Sequence, residues 1–336
     1  MRRKNNIWEI FRGIAALLVI FHHYTERYDV AFGHVENWSI QSIYGGQFGV
    51  CMFFIFTGMF LMPSLDKSKN FGVYLKKRAL RLYPYYIPCV IVTFICMKIT
   101  PPLFGREVSW GDFFANLTMF QSYLSFRNVD GAYWTLAVQL MVYIFMGGLF
   151  FLIRKHRKHF LIIILVWFGI DILFSVYGYL FGKIPFSSLL LVRTIHLFVQ
   201  GLLIWYVSTE ENKTYKLLSQ LVLLLSPLYS LFYFSLYYTI FNFFIVGVIY
   251  LVTIKNWTCK KGNLFTFIGS ISFPMYLLHQ NIGFLIIRYI ESIGLSHEIF
   301  ILVPITVIII LSWGVTTFVE RFILPILCNE KKCELR

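Results

Sequence analysis

Arginine and histidine inside an apolar run are costly in lipid, and the first such run of this chain holds both, as Arg12 and His23. Eleven residues at about 100° each make three turns plus about 20°, so the two side chains share one helix face about 16 Å apart. A histidine at that depth can act as general base on a hydroxyl. A guanidinium about 16 Å away matches the reach of an extended thioester-bearing arm whose anionic head groups are held at one end. The plainer alternative is that His23 bonds a backbone carbonyl and Arg12 snorkels to the interface. His22 is turned about 80° from the Arg12 face and reads as a packing residue.

Three further groups carry polar residues at helical spacing. Arg78 and Arg81, at i and i+3 in Lys76-Lys77-Arg78-Ala79-Leu80-Arg81-Leu82-Tyr83-Pro84, are neighbours whose planar forks can grip phosphates; basic charge that merely sets topology is the commoner cause of such a cluster. Thr135, Gln139 and Tyr143 recur every four residues behind Trp134 and put a polar stripe on one face. In Ser270-Ile271-Ser272-Phe273-Pro274-Met275-Tyr276-Leu277-Leu278-His279, Pro274 should kink a helix, and His279 falls at a depth similar to His23. Two histidines at one depth could line one cavity, or His279 could be a satisfied packing residue.

The elements that must position these groups are apolar helices. Hydrophobic residues are 58% of the 336, charged residues only 14%, and the mean hydropathy is +0.69. A soluble domain could not bury that much apolar surface. Runs of membrane-spanning length recur from end to end and predict ten spans, at 7–26, 47–63, 79–99, 132–153, 160–180, 186–207, 216–232, 235–254, 264–290 and 298–325. The expectation is an all-α polytopic membrane protein, with 1–336 as a single membrane-embedded domain and no separate soluble part. The first run lacks a small-residue cleavage site and is read as a retained helix.

A net charge of +14 would suggest nucleic acid in a soluble protein, but the basic residues sort by side. The clusters at 2–4, 67–81, 154–158, 213–216, 255–261 and 321–336 all fall on the face that carries both termini, which the positive-inside rule makes cytoplasmic. The charge then reports orientation and contact with the bilayer, and no nucleic-acid partner is expected. The six cysteines form neither a disulfide framework nor a zinc-ligand spacing, so no metal is expected. Of the two longer external segments, 27–46 is polar. The other, 100–131, contains Trp110, Phe113, Phe114 and Tyr123; it reads as a short amphipathic piece over a cavity mouth or as an aromatic belt. No internal repeat is visible, which weakens a transporter built from inverted repeats.

Taken together, these stretches resemble the acyltransferase 3 family of bacterial membrane O-acyltransferases over essentially the whole chain. Arg12 to His23 is similar to the family's Arg-x10-His signature, and Gly49-Val50-Cys51-Met52-Phe53-Phe54-Ile55-Phe56-Thr57-Gly58-Met59 to its Gly-Val-x-hydrophobic-Phe-Phe-x-x-Ser-Gly-Phe stretch. Arg78-Ala79-Leu80-Arg81 resembles its Arg-x-x-Arg motif, Trp134 to Tyr143 its Trp-Ser/Thr-Leu-x-x-Glu-x-x-x-Tyr motif, Tyr276-Leu277-Leu278-His279 its Tyr-Leu-x-His ending, and Val319-Glu320-Arg321 its final-helix Glu.

The resemblance implies a catalytic His23, an essential Arg12, and Arg78 and Arg81 at the site of an acyl-CoA donor. It leaves Trp134, Thr135, Gln139, Tyr143 and His279 as contacts of the acceptor or supports of the histidines. The implied reaction moves an acyl group, as in O-acetylation from acetyl-CoA, to a hydroxyl of a surface glycan or its lipid-linked saccharide precursor at the bacterial cytoplasmic (inner) membrane. Some relatives carry an extra hydrolase-like domain; here the expectation is that the chain acts alone or with a separate partner. Gln139 stands where the family pattern has Glu, and an amide can orient an imidazole but cannot supply negative charge. Glu26 or Asp130 could stand in for that acid, or the protein could be impaired. A membrane carrier or flippase for an acyl or glycan species, binding through Arg12 and the histidines without chemistry, is the competing reading.

Overall fold

In the bilayer every backbone N–H and C=O must find a partner within the protein, and uninterrupted apolar runs meet that demand as helices. The computed structural model describes residues 6–35, 45–154, 159–182, 194–259, 262–295 and 301–327, and it is all-helical there. The basic residues at 2–4, 155–158 and beyond 327, the polar pair Glu36 and Asn37, and the expected start of the sixth span lie outside the described residues.

The helices in chain order are α1 (Ile7–Phe32), α2 (Gly45–Asp66), α3 (Phe71–Ile99), α4 (Trp110–Leu117), α5 (Gly131–Leu152), α6 (Phe160–Phe181), α7 (Ile195–Thr209), α8 (Lys213–Phe232), α9 (Leu236–Ile254), α10 (Leu264–Ser292) and α11 (Leu302–Leu327). Among the described residues nine of these are long and apolar enough to cross a membrane, and α7 is the shorter apolar helix found where the sixth span was expected. The protein is an all-α polytopic membrane protein.

Local chemistry explains the ends. Asn263 and Thr266 form a reciprocal capping box at the start of α10, and Gly182, in the left-handed region at φ 75°, closes α6. The amphipathic piece expected in segment 100–131 is α4, opened by a capping box of Ser109 and Asp112, with Trp110 and Phe114 exposed. Ile87, Ile91, Ile95 and Ile99 form an exposed stripe at i+4 spacing along α3, the pattern of a lipid-facing edge.

The chain divides into two compact units. One comprises Met1–Gly49, Lys76–Met141 and Cys259–Arg336; the other comprises Val50–Leu75 and Val142–Thr258. In the first, α1 and α10 run parallel and in close contact, and α11 packs on α10. The approach is close because Gly13 and Gly269 face one another's backbones: a Cβ on Gly13 would lie 2.6 Å from the Phe265 carbonyl oxygen, and one on Gly269 would strike the Glu9 carbonyl. Further along the same pair, the Tyr28 hydroxyl donates to Glu291 at 2.8 Å. In the second unit, α7 is apolar nearly all round and buried. Beside it lies a polar cluster in which Ser175 meets the hydroxyls of Tyr229 at 2.8 Å and Tyr233 at 2.6 Å.

Candidate active site

The α1 ladder breaks at the residue that matters most. From His23 to Arg27 the backbone winds as a π turn, a local widening that often marks functional positions. His23 Nδ1 lies 2.8 Å from the Val19 carbonyl oxygen. A carbonyl only accepts, so in the neutral ring Nδ1 carries the proton and the lone pair is left on Nε2. The same holds for His279, whose Nδ1 lies 2.8 Å from the Tyr276 carbonyl oxygen. The two rings meet edge to face with centroids 4.8 Å apart. His23 is half-buried, whereas His279 is fully buried and its Nε2 has no hydrogen-bond partner among the described residues. Each neutral ring therefore keeps an acceptor lone pair on Nε2.

Supporting contacts come from α1, α5 and α10. The Tyr24 hydroxyl donates to the His279 carbonyl at 2.8 Å. Thr135 Oγ1 and the Tyr276 hydroxyl are 2.8 Å apart, and both reach the Ala132 carbonyl, at 3.0 and 3.2 Å. Thr135 is thereby tied to the helix that carries His279. Trp134 is exposed, and Gln139 is half-buried and engaged with its surroundings. Tyr143 is buried and belongs to the second unit, so the stripe of Thr135, Gln139 and Tyr143 is divided between the two. His22 packs on Gly46 and pairs with Glu26 at 3.3 Å, in keeping with a structural role.

At the other end of α1, Arg12 pairs with Glu9 at 3.4 Å. Arg78 is 6% exposed, while Arg81 lies on the surface, so the i, i+3 pair does not share one environment. A long apolar groove of about 1030 Å3 runs between α3 and α11, lined by Lys76, Tyr83, Pro84, Gly314 and Phe318 among others, and none of the motif arginines or histidines faces it. No group of three or more His, Cys, Asp or Glu side chains that could hold a metal ion is found among the described residues.

Several residues around the histidines were not singled out from the sequence. Asp130 appeared only as a stand-in for the missing Glu; here it is fully buried and caps the start of α5, accepting from the Ala132 N–H at 2.9 Å and from the Asn281 N–H of α10 at 2.8 Å. Asn281 in turn donates to the Val129 carbonyl at 2.9 Å and accepts from Arg106 at 3.0 Å. An Asp directly before a helix start is a legible cap signal, but its tie to α10, some 150 positions further on, has no local trace.

A family model described as an acyltransferase domain, that of acyltransferase 3, matches residues 5–319. The chain belongs to the acyltransferase 3 family. The match takes in α1 through most of α11, and with them every residue of the histidine site. A protein named O-acetyl transferase from Shigella phage Sf6 is 27% identical over 185 residues, which are 52% of this chain and 54% of that protein. The chain thus spans about half the length of the curated relative it matches. No solved structure matches this acyltransferase 3 chain.

Proposed function

We propose that the protein is a membrane O-acyltransferase, specifically an O-acetyltransferase, that uses acetyl-CoA as donor substrate and a hydroxyl of a surface polysaccharide or its lipid-linked precursor as acceptor. Its place is the bacterial cytoplasmic membrane, and the donor and acceptor reach it from opposite sides. The observation that carries the reading is the histidine pair: the rings are in edge-to-face contact and both Nδ1 atoms are committed to backbone carbonyls, which leaves the lone pair of each neutral ring on Nε2. That is the arrangement a hydroxyl nucleophile needs from a general base. The family match and the name of the phage relative support acyl transfer and, within it, acetyl transfer.

In this reading the acceptor hydroxyl gives its proton to His23 Nε2 as its oxygen bonds to the thioester carbonyl carbon. The carbon–sulfur bond then breaks and the proton passes to the departing sulfur. The products are an acetyl ester and coenzyme A as the free thiol. His279 Nε2 supplies a second acceptor beside His23, so the imidazolium formed during transfer has a neighbour to receive its N–H. Arg12, Arg78 and Arg81 are the cations assigned to the donor's phosphates, where contacts remote from the thioester would bind ground and transition states alike.

The test is chemical. Deleting the gene should remove an alkali-labile ester from the surface glycan, with the saccharide itself still exported. An unchanged ester content, or whole saccharide retained inside the cell, would overturn the reading in favour of a carrier.

A further inference from the structure

Asp130 is a fully buried carboxylate of the first unit, and the reaction just described gives it no role. It stands at the junction of three pieces of chain. Through Oδ1 it accepts from the Ala132 N–H at the start of α5, and through Oδ2 from the Asn281 N–H, two residues beyond His279 on α10. Asn281 extends the junction, donating to the Val129 carbonyl and accepting from Arg106 Nη1. Arg106 lies over the Phe284 ring at 4.8 Å, and Arg288 of α10 donates to the Pro102 carbonyl at 2.7 Å, so the 100–130 segment is fastened to α10 at three places. Gln280 of α10 covers Gly131: a Cβ there would lie 2.6 Å from Gln280 Oε1.

We propose that Asp130 is the positioning residue of the histidine site: its carboxylate locks the start of α5 and the 100–130 segment to α10 and so sets where His279 and Thr135 stand. The physical case is one of acceptor number. A carboxylate can accept from both N–H groups at once, whereas an amide in its place has one acceptor oxygen and turns an NH2 toward the second donor. Losing either bond releases one side of the junction, and at Ala132, a donor at a helix start, it leaves a buried backbone N–H unpaired. The groups that face the carboxylate are Tyr24 of α1, Tyr86 and Cys89 of α3, Tyr133 of α5, Tyr276 of α10 and Arg106, so the only cation among them is Arg106. Burial pushes the Asp130 carboxyl up to about 6, against the opposing pull of its two N–H bonds and of Arg106. The junction should therefore loosen as the pH falls through about 6, within the range where activity can be measured.

The inference rests on the acyl-transfer reading, and the experiment separates the two. Ester formation is followed against pH in membranes carrying wild type, Asp130→Asn, Asp130→Glu and Arg106→Gln. If wild type makes no ester, the reaction is misassigned. If wild type is active, Asp130→Asn should lose at least tenfold in turnover at pH 7.5 and show no limb near 6, while Asp130→Glu recovers part of the loss. Arg106→Gln should retain activity at high pH and move the acidic limb upward, because without the cation the carboxyl holds its proton more tightly. Arg106 bonds to Asn281 and lies over Phe284, so it reaches the profile through the Asp130 junction. Should Asp130→Asn fail to accumulate, the Arg106→Gln profile decides alone. A wild-type limb in Arg106→Gln, or full turnover in Asp130→Asn, would overturn the proposal.

Discussion

The two ends of α1 are built differently. At the His23 end, the side chains that matter are held from several directions: His23 and His279 by backbone carbonyls, His279 again through Tyr24, and Tyr276 through Thr135 and Ala132. At the other end Arg12 pairs locally with Glu9, a single turn away, and the other motif arginines, Arg78 and Arg81, differ in burial though they are three residues apart. Proton transfer demands a base fixed to within a fraction of an ångström, and a buried network provides that. Gripping phosphates through long flexible cations demands less, because charge attraction tolerates displacement. The comparison predicts that substitutions at the first end act on turnover and those at the second act on donor binding.

The largest effect should come from His23→Ala, which removes the base without adding a buried polar group. Ester formation should fall by about two to four orders of magnitude with normal membrane accumulation, while His22→Ala should stay within about threefold, the range of a modest packing change. Equal losses in the two variants would erase the distinction between the catalytic and the packing histidine. Next in size, Arg78→Ala should raise the apparent KM for acetyl-CoA by about ten- to a hundredfold in inside-out vesicles, the worth of one or two charge-assisted hydrogen bonds. Exposed Arg81 should count for less, about three- to tenfold, since solvent screens its contact. In both, turnover at saturating donor should stay within about twofold. A fall in turnover with unchanged KM would move the arginines to the chemical end of the molecule.

A smaller effect is expected at Gln139. Gln139→Leu should lose about fivefold through its lost hydrogen bonds. Gln139→Glu should keep activity but carry the acidic limb set by protonation of His23, distinct from the one set by Asp130, upward by about one pH unit, because an anion near the base favours imidazolium. If neither change alters the profile, Gln139 is ordinary helix packing. The smallest effect concerns stability. Asp130 in the folded protein holds its proton up to about 6, against an ordinary value of 3.8, so between those limits the folded state binds more protons than the unfolded. The melting temperature in detergent should therefore fall slightly as pH rises from about 4 to about 6, and this slope should vanish in Asp130→Asn. A persisting slope would assign it to another group.

How much could be read in advance depended on whether a signal was local. The span pattern needs only hydropathy along the chain, and nine of the expected spans have a membrane-length helix in their place. The sixth differs because α7 is shorter than a membrane span among the described residues. The short amphipathic α4, one of two readings the aromatic 100–131 segment offered, follows from composition in the same way. Other features lay outside any local pattern. The π turn at His23 depends on how α1 fits its neighbours. The division of Thr135, Gln139 and Tyr143 between two compact units likewise reflects packing, which periodicity along one helix cannot report.

The sequence by itself determined that the chain is a bundle of membrane helices with a histidine deep in the first and another in the ninth span, because lipid punishes every unpaired polar group and so leaves helices as the only solution. Tertiary structure decided that these two histidines meet. Only the close parallel approach of α1 and α10, permitted by glycines at 13 and 269, brings the imidazoles to 4.8 Å from one another. It also decided that Asp130 reaches the flank of the same helix, because a hydrogen bond between residues 130 and 281 is set by packing in three dimensions and leaves no mark on the residues between them.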